Sequence, residues 1–369
     1  MSRWAWAEVS AAAIEHNVRV LAAEVAPSAL WAVVKANGYG HGAVLAARAA
    51  QEGGATGLCV ALAQEGVELR AAGVTLPILV LSEQPPEQVA LAVQHGLHLT
   101  VYREAQLQHV VDAGGRDHPV HLKIDTGMRR VGASPDDAVR LARAIDESPA
   151  SRLEGVFTHL AVADVPDDPF TATQLARFDE VVAELHAAGL RPPLVHAANS
   201  AAAIAHPDSR RSMVRAGIAV YGVSPGAGVD AIVERLGLVP AMSLHARVSY
   251  VKRVAAGDGV SYGLRHRFER ETTVATLPVG YADGVPRRLF GAGGEVLLGG
   301  RRRPIVGVVT MDQLMVDCGD DDVQVGDHAV LIGTQGTHTV TATEWADRLG
   351  TIGYEIVCGI SARVERRAV

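Results

Sequence analysis

Over the first two-thirds of the chain, short apolar runs alternate with stretches whose apolar residues recur every three or four positions. The runs at 30–35, 57–61, 77–81, 97–101, 120–124, 153–158, 194–197 and 213–220 have the profile of strands buried on both faces. Helical stretches lie between them at 43–51, 65–72, 87–94, 104–113, 135–145 and 172–188. A further helix over 10–24 precedes them, with Ser10 as N-cap and Ile14, Val18 and Leu21 on one face. Eight apolar strands alternating with helices predict an α/β fold, a (β/α)₈ barrel of the TIM type, with a doubly wound open sheet as the alternative. From about Leu238 helical periodicity fades, and β-rich runs follow at 244–254, 272–278, 295–298, 305–309 and 328–332. Gly/Asp turns at 256–259 and 318–321 separate them, and one short helix, Ala342–Leu349, is expected. The organisation predicted is a barrel over 1–237 and a mostly β domain over 238–369, joined by a packed connection.

Composition narrows the function classes. The chain has 369 residues, 48% hydrophobic and 20% charged, enough for two domains with sizeable cores. A formal net charge of -7 gives no electrostatic footprint for nucleic acid or an acidic membrane. The dense basic cluster Arg301-Arg302-Arg303 follows Gly299-Gly300 and reads as a solvated hairpin tip. Three widely spaced cysteines, Cys59, Cys318 and Cys358, imply neither a disulfide framework nor a zinc site, and no metal is expected. The N-terminus lacks a signal-peptide pattern and no run is apolar enough to span a bilayer, so a cytoplasmic protein is the expectation.

The stretch Ala29 to Ala43, ALWAVVKANGYGHGA, carries the first chemistry. A buried strand ends in Lys35, a glycine-rich loop follows, and a helix begins. A lysine at a strand end is usually a solvated charge. Gly38-x-Gly40-x-x-Ala43 also fits a loose dinucleotide fingerprint, but 58–62 ends without the expected acid and Lys35 is left unexplained. The remaining reading is a lysine at the mouth of a barrel, partly desolvated and able to form a Schiff base.

Val34-Lys35-Ala36-Asn37-Gly38-Tyr39-Gly40-His41-Gly42 resembles the pyridoxal 5'-phosphate attachment motif of the alanine racemases, with Gly38 where that family commonly has alanine. Seven such segments occur in family order between Glu8 and Val364. The resemblance implies that Lys35 binds the cofactor. In the segment from His121 to Gly132, Lys123 is an ammonium in an apolar strand and needs a partner. The family match implies that Lys123 can be carbamylated and that Arg130 holds the substrate carboxylate. His159 is implied to pack on the cofactor without transferring a proton. Ser200, supported by Asn199, opens a helix that reads as an anion site. The resemblance makes Ser200 a phosphate ligand, with Gly217, Ile218 and the Tyr39 hydroxyl beside it. Arg215 is implied to face the pyridine nitrogen, where a guanidinium donates without giving up a proton and weakens the ring as an electron sink. That choice favours reprotonation over transamination.

In the second domain, Gly259-Val260-Ser261-Tyr262-Gly263 resembles the family's second acid/base motif. Racemisation needs bases on both faces of Cα, and the match implies that Lys35 and Tyr262 are that pair. A free tyrosine titrates near pH 10, so nearby charge is expected to lower it, with Arg130 and Arg215 as candidates. Tyr281, Met311 and Asp312 are implied to line the substrate entrance from a partner subunit, Met311 near the substrate carboxylate. Thr310 replaces a cysteine common in the family, and Ala362 replaces a tyrosine found in some relatives, which puts the tightness of the gate in question. The implied function is interconversion of L- and D-alanine by a two-base mechanism in a homodimer, supplying D-alanine for peptidoglycan. The rivals are an amino-acid decarboxylase, which would want an acid where Arg215 stands, a racemase of another small amino acid, and a non-catalytic cofactor carrier, which would not need Tyr262.

Overall fold

Strand β1 (Ala5–Val9) pairs with segments from the far end of the chain, so the two units do not divide where the sequence pattern put them. One unit is Ala12–Val239; the other joins the start of the chain, up to Ala11, to Pro240–Val369. The expected barrel over 1–237 is therefore corrected at its start: β1 belongs with the β unit, because its partners are Met242 to Ala246 and Glu365 to Ala368. Nothing local to a five-residue run reveals a partner so distant. This computed structural model describes residues 4–369.

All eight expected strands are present in the first unit: β2 (Ala29–Val33), β3 (Gly57–Val60), β4 (Ile78–Val80), β5 (Leu99–Val101), β6 (His118–Lys123), β7 (Ser151–Phe157), β8 (Leu194–His196) and β9 (Met213–Ala216). They form two parallel ribbons, β4-β3-β2-β9 and β5-β6-β7-β8. A parallel bridge between Leu79 and His98 joins β4 to the start of β5, where the Val80 N–H donates to the His98 carbonyl at 2.9 Å. On the other side the Ser212 N–H donates to the Val195 carbonyl (3.1 Å) and the Arg215 N–H to the Ala198 carbonyl (3.0 Å). The ring is closed, as a (β/α)₈ barrel requires. Its strands are largely apolar because helices cover their outer face and side chains fill the inner one, with Lys123, His121, His196 and Arg215 as buried exceptions. In helix Ala138–Glu147, for example, Leu141, Ala142 and Ile145 are buried while Arg140, Arg143 and Glu147 face water.

Two strand ends differ from expectation. Strand β2 stops at Val33, so Lys35 stands in the turn beyond it. Strand β9 stops at Ala216, not at 220, because Gly217 (φ −109°, ψ −98°) leaves the extended region and Ile218–Tyr221 winds into a 3₁₀ turn.

The second unit is built on a sheet of β10 (Met242–Arg247), β11 (Tyr250–Val254), β14 (Thr272–Leu277), β15 (Glu295–Leu298), β16 (Arg301–Val306), β17 (Leu314–Gly319), β18 (His328–Gln335) and β20 (Glu365–Ala368), with β1 between β10 and β20. A short hairpin, β12 (Gly259–Val260) with β13 (His266–Arg267), stands apart, and β19 (His338–Val340) pairs with β18. Val260, Phe268, Val274 and Val306 form one buried cluster with Val254 and Met315 packed against it. The run 244–254 is two strands, and a helix at Gly353–Gly359 joins the expected Ala342–Leu349. The arginine cluster is not a solvated tip. Gly299 and Gly300, both at positive φ, make the turn, while Arg302 lies between Glu295 and Glu344 and Arg303 pairs with Asp321. Cys59 and Cys318 are buried and Cys358 exposed, and among the described residues no disulfide joins them. Among the described residues no helix is long and apolar enough to cross a membrane.

Candidate active site

Lys35 begins a turn in which four successive residues are left-handed: Ala36 (φ 51°), Asn37 (54°), Gly38 (61°) and Tyr39 (51°). Three of these carry side chains, and each is strained in that region. Other contacts hold the turn. Glu65, on the next helix, accepts from the N–H groups of Ala36 (2.6 Å), Ala61 (2.8 Å) and Leu62 (3.1 Å), tying the loops after β2 and β3 together. The Asn37 side chain accepts from the Ala43 N–H at 2.9 Å and fixes the start of the following helix. Gly38 removes a Cβ that would lie 3.1 Å from that of Ala46. Glu65 was missed in the sequence, where it reads as an ordinary acid in the first turn of a helix.

Tyr39 points from this turn to β9. A Cβ at Gly217 would lie 2.6 Å from the Tyr39 hydroxyl, so only glycine admits the phenol there. The Tyr39 ring lies 5.2 Å from that of Tyr221, which stacks at 4.4 Å on His41 and donates its hydroxyl to the Val33 carbonyl. The Ser200 hydroxyl accepts from the Gly217 N–H at 2.7 Å. Tyr39, Ser200, Gly217 and Ile218, expected together from the sequence, do converge at the C-terminal ends of the strands. Asn199 acts differently: its Oδ1 accepts from the Ala202 N–H at 3.0 Å and caps the helix Ser200–Ala205.

Arg215 is buried inside the barrel and answers its need for partners without a carboxylate. It donates to His196 Nδ1 (2.7 Å) and to the carbonyls of Thr158 (2.8 Å) and Ala197 (2.9 Å), and lies over the Phe157 ring. Burial pulls its pKa down to about 10, so the guanidinium keeps its charge at neutral pH. Burial first, and then Arg215, push His196 well below the ordinary histidine range.

Lys123, Asp125, Met128, Arg130 and His159 line one small cleft. Lys123 is 5% exposed, so its ammonium is not a solvated surface charge. Burial and then the charges of Arg215, Arg130 and Lys35 lower its pKa to about 8. His159 is held well below its usual pKa by burial and by Arg215, Arg130, Lys123 and Lys35, so its ring is neutral. The Asp125 carboxylate accepts from the N–H groups of Gly127 and Arg129 and shapes the loop that carries Arg130. Four cations thus act on one region, which suits a group bearing a phosphate together with a carboxylate substrate. The cradle made by Gly217, Ser200 and Tyr39 suits the phosphate end.

On the β unit, Tyr262 follows Ser261, a non-glycine at φ 63°, whose hydroxyl donates to the Val308 carbonyl at 2.6 Å. A Cβ at Gly280 would lie 2.3 Å from the Thr310 carbonyl, so the turns bearing Tyr281 and Met311 are pressed together. The Tyr281 and Ala282 N–H groups donate to the carbonyls of Thr310 and Met311. Thr310 closes its own turn by accepting from the Gln313 N–H and donating to the Gln313 carbonyl, which accounts for a hydroxyl where a cysteine is common. Asp312 pairs with Arg363 at 2.6 Å, next to exposed Ala362, and Arg363 also reaches buried Asp283. Tyr262, Tyr281 and Met311 are 71%, 41% and 53% exposed, an unusual display of large side chains on one set of loops.

Residues 9–225 match the model of the alanine racemase N-terminal domain and residues 241–368 that of the C-terminal domain. An alanine racemase from Symbiobacterium thermophilum is 49% identical over 366 residues, 98% of this chain and 96% of the relative. One from Thermobifida fusca is 45% identical over 372 residues, covering 99% and 98%. The crystal structure of alanine racemase from Streptomyces lavendulae superimposes with a TM-score of 0.93 at 40% identity, covering 100% of this chain and 98% of the other. That from Bacillus anthracis, solved with bound L-Ala-P, gives 0.92 at 40% identity, covering 100% and 96%.

Proposed function

Because the chain belongs to the alanine racemase family and interconverts L-alanine and D-alanine, supplying D-alanine for peptidoglycan, we propose that Lys35 and Tyr262 are its two bases, one for each face of the substrate Cα. The observation that carries this reading is the left-handed turn that holds Lys35 among Arg215, Arg130 and Lys123. Pyridoxal 5'-phosphate, when bound, supplies the electron sink for the pair left as Cα loses its proton. Lys35 and the phosphate cradle of Tyr39, Ser200, Gly217 and Ile218 would hold it, with Asn199 fixing Ser200 by capping its helix.

Lys35 takes the Cα proton of the D-enantiomer, and the Tyr262 hydroxyl returns a proton to the opposite face; the reverse sequence serves the L-enantiomer. Arg130 grips the substrate carboxylate through a two-pronged guanidinium contact. Arg215 donates to the ring nitrogen and retains its proton. His159, neutral, packs on the cofactor and moves no proton. Lys123, whose amine is half neutral near pH 8, is the group that carbon dioxide would convert to an anion supporting Arg130.

Tyr262, Tyr281, Met311 and Asp312 come from the partner subunit of a homodimer in this reading. Their exposure supports it, since Tyr262 is open to solvent in the single chain. A cytoplasmic enzyme acting on free alanine goes with the same reading.

The test is L-alanine in deuterated water with wild type, Lys35→Ala and Tyr262→Phe. Wild type should incorporate deuterium at Cα and form D-alanine; Lys35→Ala should do neither, and Tyr262→Phe should be crippled at least about a hundredfold. Full exchange by Tyr262→Phe would sink the two-base assignment.

A further inference from the structure

Arg215 is the first member of a longer chain of hydrogen bonds. His196 Nε2 lies 3.0 Å from His121 Nδ1, and His121 Nε2 lies 3.1 Å from His98 Nδ1. The rings belong to β8, β6 and the residue entering β5, so the chain crosses the interior of the barrel. His121 and His196 are fully buried and His98 nearly so.

The protons in this chain have one direction. A guanidinium only donates, so His196 Nδ1 accepts and the His196 proton sits on Nε2. His121 Nδ1 must then accept, which puts its proton on Nε2, and His98 Nδ1 accepts in turn. Each ring fixes the tautomer of the next, starting from Arg215.

The surroundings are cut to fit. A Cβ at Gly155 would lie 2.4 Å from His121 Nδ1, and one at Gly57 would lie 2.3 Å from the Trp31 ring, which packs on both His98 and His121. Phe157 stacks on His196 with ring centroids 4.7 Å apart. Burial and the charges of Arg215, Arg152 and Arg70 all oppose a proton added to the chain.

We propose that His98, His121 and His196 are positioning residues, a one-way relay of neutral rings that orients Arg215 and keeps its other edge a donor that cannot give up its proton. A carboxylate in place of His196 would also hold the arginine, but it would neutralise its field. The neutral relay fixes the guanidinium and leaves its charge intact. This rests on the reading that Arg215 faces the cofactor's ring nitrogen.

The test uses the holoenzyme, labelled with nitrogen-15 at histidine, and the variants His98→Leu and His98→Gln. In wild type, the nitrogen spectra should give three neutral rings protonated at Nε2 that do not titrate between about pH 5 and about pH 9. His98→Leu strands the His121 Nε2–H. Arg215 still donates to His196 Nδ1, so the tautomers hold, but the ring-nitrogen resonances of His121 and His196 should move. The absorption band of the bound cofactor should shift, and kcat should fall about tenfold with little change in KM. His98→Gln keeps an acceptor and should restore all three readouts. A charged or Nδ1-protonated ring in wild type, or His98→Leu with unmoved His121 and His196 resonances, overturns the relay. Moved resonances with an unmoved band and unchanged kcat would leave the relay standing as a structure, but overturn both its positioning role and the placement of Arg215 at the ring nitrogen.

Discussion

The Tyr39 hydroxyl lies against the Cα of Gly217, closer than any residue with a Cβ would allow. Gly217→Ala should therefore push the phenol aside and open the phosphate cradle. Retention of pyridoxal 5'-phosphate, titrated by its absorbance, should weaken about tenfold, the consequence of one to two kcal/mol (~1–2) of overpacking. Tyr39→Phe, which loses a hydroxyl but clashes with nothing, should cost less. Equal affinity in Gly217→Ala and wild type would disprove the cradle.

Glu65 joins two loops through three N–H groups, so its substitution should be felt in both stability and turnover. Glu65→Ala is expected to lower stability by about 2 kcal/mol, since hydrogen bonds to a charged acceptor are lost. Release of the left-handed turn should also reduce kcat. One carboxylate oxygen serves Ala36 and the other serves Ala61 and Leu62, so Glu65→Gln should recover only part of the loss. Urea melts beside initial rates would measure both effects.

Lys123 should react with carbon dioxide only as the free amine. Its pKa is depressed to about 8, so modification should rise as pH increases through that value. Intact mass should increase by one carbon dioxide in bicarbonate and return on acidification. Lys123→Ala should raise KM for alanine by roughly tenfold through Arg130, and small carboxylates should restore part of the activity. An unmodified chain at high pH and bicarbonate would remove Lys123 from this role.

Mixing Lys35→Ala with Tyr262→Phe distinguishes sites shared between subunits from sites within one. If Tyr262 crosses a dimer interface, half of randomly reassociated dimers hold one intact site of two, and about a quarter of wild-type activity returns. No return after verified subunit exchange would argue for a site completed within one chain.

Acid stability follows from the buried histidines. His98 and His245 are both held near pKa 4 by burial, against 6.5 when free. A histidine depressed in this way favours the folded state only while neutral. Its contribution is complete above about pH 6.5 and is lost as pH falls toward about 4. For His98 alone that is ~3 kcal/mol. Denaturant midpoints should fall steeply between about pH 6.5 and about pH 4, and His98→Gln should flatten part of the slope.

The barrel was legible in sequence because strands covered on both faces read as mostly apolar runs, while its helices carry a 3.6-residue stripe. What escaped was held by distant partners or polar strands. β20 reads Glu-Arg-Arg-Ala and has no apolar signal, and β17 alternates buried and half-buried residues across a Gly/Asp turn. Lys35 stood out as a charge closing an apolar run and Ser200 as a polar helix start, whereas Tyr39 and Gly217 were reached only through the family motifs that contain them. The function of Asn199 as a cap, the bracing by Glu65 and the alignment of His98 with His121 and His196 depend on three-dimensional register, which no local pattern encodes. Only the fold reveals that Arg215, a charge within an apolar run, has a neutral ring as its partner.

The position of β1 has a consequence for how the protein is made. β1, which precedes every barrel strand in the chain, lies between β10 and β20, which follow them all. The barrel strands pair with chain neighbours except where β2 meets β9, so the barrel can close once β9 is made, while synthesis continues. The β sheet cannot, because the slot that β1 fills is walled on one side by Glu365–Ala368. β1 therefore stays unpaired until Met242–Arg247 has been made, and its other edge stays open until Glu365–Ala368 follows.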